Sequence, residues 1–192
     1  MAYAPTAAEY ELALAELRKY KRELACWVEE NEPERWVQSK FLRERWGKLN
    51  NNPIESWNNW MCALRQMSIP SLMSGHLQKL GCKMDNRKVG VAKWKNGVGE
   101  RIEKKLKKTC EKMGSVVEVQ RFNRGIGEYS VRLTNDRCLV VRLRDGTCSC
   151  KWWQLCGLPC VHAMAVIERE KLYVHDYVNP YYKAPIQMTI YM

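Results

Sequence analysis

Aspartate is scarce in this chain: Asp85, Asp136, Asp145 and Asp176 are the only four among 192 residues. None precedes position 85, so a metal clamp built from aspartates is ruled out in the first 84 residues. Long apolar runs are also missing. No stretch approaches the roughly 20 apolar residues of a membrane-spanning helix, and no membrane insertion is expected. The opening Met1-Ala2-Tyr3-Ala4-Pro5-Thr6 lacks the basic and apolar regions of a secretory leader, so secretion is not expected. Histidine is limited to three residues. Of these, His76 and His175 have no ligand-type neighbours in sequence and read as surface or helix-packing residues. No period repeats along the chain. Nine cysteines, an odd number, include Cys26, Cys62, Cys82 and Cys110 placed singly. That usage suits a reducing intracellular compartment better than a disulfide framework.

Charge is present in excess and unevenly spread. The formal net charge is +11. Residues 83–144 hold 17 Lys/Arg against 7 Asp/Glu, whereas residues 1–82 hold 11 against 10 and residues 145–192 hold 4 against 4. A basic middle third points to a polyanion partner, most simply DNA, held by salt-sensitive phosphate contacts. The plainer reading is a solvated face that keeps the protein soluble. Lys104, Lys105, Lys107, Lys108, Arg121 and Arg124 are the candidate phosphate contacts. The run from Lys104 to Lys108 also has the composition of a nuclear import signal, a weak pattern by itself.

The pattern predicts an α+β chain, helical first and then a small β-sheet joined to a Cys/His-rich segment and a helix. Thr6 and Glu9 form a capping box for a helix carrying Leu12, Leu14, Leu17 and Tyr20. Pro33 opens a second helix, with Trp36, Val37, Phe41, Leu42 and Trp46 on its apolar side and Gly47 near its end. A third begins at Pro53 and carries Trp57, Trp60, Met61 and Leu64. More helix follows over 69–113, interrupted around 85–99 and strongly basic in its last part. Residues 116–122, 129–133 and 138–143 alternate or run β-branched and read as strands. Turns at Gly125-Ile126-Gly127, Thr134-Asn135-Asp136 and Asp145-Gly146 separate them. The expected domains are helical 1–113, a second domain over 114–178 with its Cys/His-rich finger at 138–170, and a tail at 179–192 without helical periodicity.

Three thiols and an imidazole crowd the segment after the last strand. Cys148-Ser149-Cys150 is followed, after nine residues, by Cys160-Val161-His162. Zn²⁺ takes four tetrahedral ligands, and a closed Cys₃His set is a structural site. An extended Cys-x-Cys places both side chains on one face. Pro159 suits the first position of a helix, which puts Cys160 and His162 at its N-terminal turn, where backbone N–H groups offset thiolate charge. Cys148, Cys150, Cys160 and His162 are the expected ligands of one structural zinc ion. Cys156 is a fifth candidate that can replace Cys150 or Cys160. The alternative is a group of ordinary buried cysteines. Trp152 and Trp153 either stack on nucleic acid or shield the ligands.

The run from Cys148 through Trp153-Gln154-Leu155-Cys156-Gly157-Leu158-Pro159 to His162 resembles the SWIM-type zinc finger, in the version found near the C-terminus of plant Mutator-like transposases. A second segment, Asn50-Asn51-Asn52-Pro53-Ile54-Glu55-Ser56-Trp57-Asn58, resembles the Asn-x-x-Glu-Ser-x-Asn element of the same family, preceded by Arg45-Trp46-Gly47. The resemblance implies that Glu55 stands at the third carboxylate position of an RNase H-like core working with Mg²⁺ by two-metal phosphoryl transfer. Its local alternative is the N3 place of a capping box with Asn52 as N-cap and Pro53 at N1. The two aspartates of that core have no counterpart before Glu55. The resemblance therefore implies the C-terminal part of a transposase, catalytically incomplete, zinc-binding, DNA-contacting and nuclear. A zinc-dependent protein-interaction or self-association module, or a domesticated transcriptional regulator, is the competing class. No small-molecule substrate is expected.

Overall fold

The computed structural model describes residues 1–41, 52–123, 125 and 127–191. It is α+β: helices come first, a four-stranded antiparallel sheet follows, and helices close the chain. Contacts group the chain into two compact units, one of Met1–Leu49 with Lys104–Asn179 and one of Asn50–Glu103 with Pro180–Met192.

In the first unit, α1 (Ala7–Tyr20) starts where Thr6 accepts a hydrogen bond from the Glu9 N–H at 3.2 Å, as the capping pattern requires. Lys21 is extended, and α2 (Arg22–Glu30) follows at once. The two helices bury Tyr10, Leu14, Ala25 and Val28 together with Val37. The helix expected from Pro33 is only one turn long, α3 (Pro33–Trp36). Val37 turns extended and is fully buried, and the Gln38 N–H bonds the Ala2 carbonyl at 2.9 Å. Burial of Val37 and that long-range bond replace the next helical turn, which is why periodicity misled here. Leu42, Trp46 and Gly47, also assigned to that helix from sequence, lie outside the described residues.

The same unit holds the sheet. Strands β1 (Val116–Asn123), β2 (Glu128–Leu133), β3 (Cys138–Arg142) and β4 (Thr147–Cys148) pair in chain order. Tyr129 pairs with Val141, and both are buried with Val131, because side chains alternate across a strand. The opposite face carries Arg132–Glu118 and Arg142–Glu128 ion pairs. The expected strand positions are thus matched to within a residue.

In the second unit, α4 (Asn52–Met61) leads through a 3₁₀ turn at Cys62–Leu64 to the long α5 (Ile69–Ala92). A Cβ on Gly75 would come within 2.8 Å of Leu64, so glycine lets α5 approach that turn. The expected interruption around 85–99 is present but shorter: the helix runs on to Ala92, and residues 93–99 separate it from the next helix. Asp85, Asn86 and Gly90 are exposed, and weak helix formers there cost under about 1 kcal/mol each. The next helix, α6 (Glu100–Cys110), belongs to this unit as far as Glu103 and to the first unit from Lys104 on.

Three elements complete the layout: α7 (Trp152–Cys156) and α8 (Val161–Arg169) in the first unit, and α9 (Ala184–Ile190) in the second. The helix α9 corrects the expectation of a tail without helix. Seven residues are too few to show a period, and Pro185 sits in the first turn, where its fixed φ is compatible with helix. The Ala184 N–H bonds the Gly97 carbonyl at 2.7 Å and anchors α9 beside α5.

Thr6→Ala should cost about 1 kcal/mol of α1 stability. Amide exchange over residues 7–20 checks this, with faster exchange expected there than in the sheet.

Candidate metal centre

The site is assembled by three local devices. A turn at Asp145 and Gly146, with Gly146 at φ +63°, reverses the chain between β3 and β4. Pairing of Cys148 with Val141 then fixes the first thiol on the sheet. Gln154 brackets the Cys148 backbone from both sides, accepting from its N–H at 3.3 Å and donating to its carbonyl at 3.1 Å. Ser149 extends the ladder past the strand, since its N–H bonds the Val140 carbonyl and its hydroxyl accepts from the Val140 N–H.

Lys151, in the left-handed region at φ +62°, reverses the chain after Cys150. The loop expected between the two ligand pairs is in fact α7, closed by Gly157 at φ +68° with its N–H on the Trp153 carbonyl. Trp153 is buried against the sheet core, and its indole N–H donates to the Tyr177 carbonyl at 3.2 Å. Trp152 stays about half exposed. The pair therefore divides its roles, one ring in the core and one at the surface.

Pro159 is fully buried just before the helix rather than in its first turn. Cys160 itself is the N-cap of α8, which places His162 at the second helical position. The apolar side of α8, Ala163, Val166 and Ile167, packs with Tyr129, Val131 and Val141. Helix and sheet are thereby locked at the point where the two ligand pairs meet.

Cys148 Sγ and Cys160 Sγ each lie 3.7 Å from His162 Nδ1. The four ligand atoms of Cys148, Cys150, Cys160 and His162 all fall within 4.8 Å of one another. A tetrahedral zinc ion with Zn–S about 2.3 Å and Zn–N about 2.0 Å requires S···S about 3.8 Å and S···N about 3.6 Å. The residues present fit one zinc ion, and Nδ1 is the imidazole nitrogen facing the sulfurs. Cys148 and Cys160 are buried and Cys150 and His162 half-buried, so the centre is a closed structural type.

Hydrogen bonding with Cys150, together with burial, pushes the Cys148 thiol up to about 12. Hydrogen bonds with Cys148 and Cys150, and burial, raise Cys160 as well. Cys150 is the one thiol drawn down, by the hydrogen bond from Cys148. A bound Zn²⁺ would take the place of the thiol protons and hold all three cysteines as thiolates.

Residues 129–171 match the SWIM zinc finger family. This segment is a SWIM zinc finger domain. Its span begins in β2 rather than at residue 138, because Tyr129 and Val131 form the floor on which α8 packs. Neither the curated proteins nor the solved structures give a match to the chain.

The SWIM domain leaves Cys156 outside the ligand group. It is buried in α7, and burial raises its thiol while the nearby Lys105 charge partly opposes that rise. The other sequence-derived sites scatter. Lys104, Lys105, Lys107 and Lys108 are exposed on α6, opposite the buried Ile102 and Leu106. Arg101 lies on the same stripe by its i, i+3, i+4, i+7 spacing with Lys104, Lys105 and Lys108, a residue the run of lysines had hidden. Arg121 in β1 forms an ion pair with Glu170 and lies over the Tyr129 ring at 5.4 Å. Arg124 lies outside the described residues. Glu55 is exposed in the first turn of α4, and among the described residues it joins no metal-holding group. His76 packs edge-on to Trp57 and Trp60, as expected for a helix-packing histidine.

The protein should bind one zinc ion per chain. Chelation or His162→Ala should abolish that stoichiometry and unfold the segment from β3 to α8, read by metal analysis and by the near-ultraviolet signal of buried Trp153. Cys156→Ala should retain the metal.

Proposed function

We propose that this chain is a zinc-stapled, DNA-contacting segment of Mutator-like transposase type, nuclear and without strand-transfer activity of its own. The observation that carries the reading is α6. Its buried Ile102 and Leu106 leave Lys104, Lys105, Lys107 and Lys108 on the solvent side. The helix leads through a 3₁₀ turn at Met113–Ser115 into β1 of the sheet. The Lys105 charge also partly opposes the burial-driven rise of the Cys156 thiol in α7 of the finger. Lysines on one helical face meet phosphates as point charges and read no sequence. Arg121, already engaged by Glu170, is not counted among these contacts.

The transposase part of the reading rests on the Glu55 segment and the finger together. Glu55 is the single inherited carboxylate, and one carboxylate does not hold two Mg²⁺ ions. A SWIM finger is a nucleic-acid or protein-interaction module, and the second class has its own support. Val117 and Phe122 are well exposed on β1, the edge strand of the sheet. An edge strand offers unpaired backbone groups to another chain.

Duplex binding across a salt series separates the two. Affinity should fall linearly in log-log form, and Gln at positions 104, 105, 107 and 108 should flatten the slope by up to about 0.9 per lost contact. Zinc-dependent self-association without duplex affinity would decide for the protein-interaction class.

A further inference from the structure

The second unit carries an aromatic and cationic groove that the zinc centre does not use. Along α5, Lys79, Lys83 and Arg87 recur every fourth residue, so they stand on one side of the helix in steps of about 6 Å. The half-buried indole of Trp60, from α4, lies against this row. Lys83 Nζ is 4.8 Å and Lys79 Nζ 5.5 Å from the centre of the ring, and Lys79 also donates to the Trp60 carbonyl at 2.9 Å. Together they line an open groove of about 650 Å³, with the amides of Gln78 and Asn86 in its wall. Asp85, the one acidic residue of α5, is not in the lining.

This is the combination that grips an unpaired strand: cations in a row for the backbone, a flat ring for a base and amides able to donate and accept. We propose that the groove beside Trp60 binds single-stranded nucleic acid, with successive phosphates on Lys83 and Arg87 and a base packed on the exposed part of the indole. Lys79 is held by the Trp60 carbonyl and acts as the positioning residue of the ring. A duplex keeps its bases stacked inside and offers nothing to the indole, so the groove differs in ligand from the lysine face of α6.

The test uses the full zinc-loaded chain and a labelled oligothymidine of about 15 nucleotides at low salt. Binding should quench tryptophan emission. Trp60→Phe, which keeps an aromatic ring in the packing, should remove most of the quench and weaken binding about threefold or more. Lys83→Gln should weaken binding and lower the salt slope by about 0.7. Gln at 104, 105, 107 and 108 should leave the quench amplitude intact, so a failure of the duplex reading and a failure of this one are told apart. Single-strand binding indifferent to both Trp60→Phe and Lys83→Gln, or no single-strand binding at low salt, overturns the proposal.

Discussion

Three thiols within 4.8 Å of each other, beside an imidazole, are the constraint on which the first unit's C-terminal half depends. As bare anions they repel, and as protonated thiols they hold the strand and the helix only by weak hydrogen bonds. A divalent cation turns the same geometry into four strong bonds that join β4, the turn after it and the start of α8. The rest of the finger serves that junction. Gln154 holds the Cys148 backbone, Ser149 prolongs the ladder, and Gly157 ends α7 where Leu158 and Pro159 must enter the core.

The hydrophobic core under the centre is small: Tyr129, Val131 and Val141 from the sheet, Trp153 from α7, and Ala163, Val166 and Ile167 from α8. A core of this size in so short a segment gains much of its stability from a metal staple. The packing of α7 on the sheet sets the burial asymmetry of the tryptophan pair. Trp153 fills space that the turn and the helix would otherwise leave open, while Trp152 is free to face solvent.

Charge is arranged separately from the metal. Residues 145–192, which hold the four ligands, balance 4 Lys/Arg against 4 Asp/Glu, and the cations in question lie on two helices: α6, opposite its buried Ile102 and Leu106, and α5, with its row from Lys79 to Arg87 beside Trp60. In the proposed function the first face suits a duplex backbone, and in the further inference the second suits an unpaired strand. Arg121 shows that positive charge in sequence is not the same as available charge, since Glu170, 49 residues away, takes it up.

The zinc ligands, the three long strands and the capped start of α1 were legible in the sequence because each rests on short-range physics. Ligand spacing, period-2 alternation and a hydroxyl three residues before an N–H need no distant partner. The tertiary structure alone decided the rest. It ended α3 at Trp36, since Val37 is buried against α1 and α2 and Gln38 bonds Ala2. It carried α5 through Asp85, and it made a helix of residues 184–190 by anchoring them at Gly97. It left Cys156 out of the ligand set, because α7 turns that thiol into the core and away from the other four donors. Long-range burial and hydrogen bonding overrode local preference at these places, and neither is written in residue spacing.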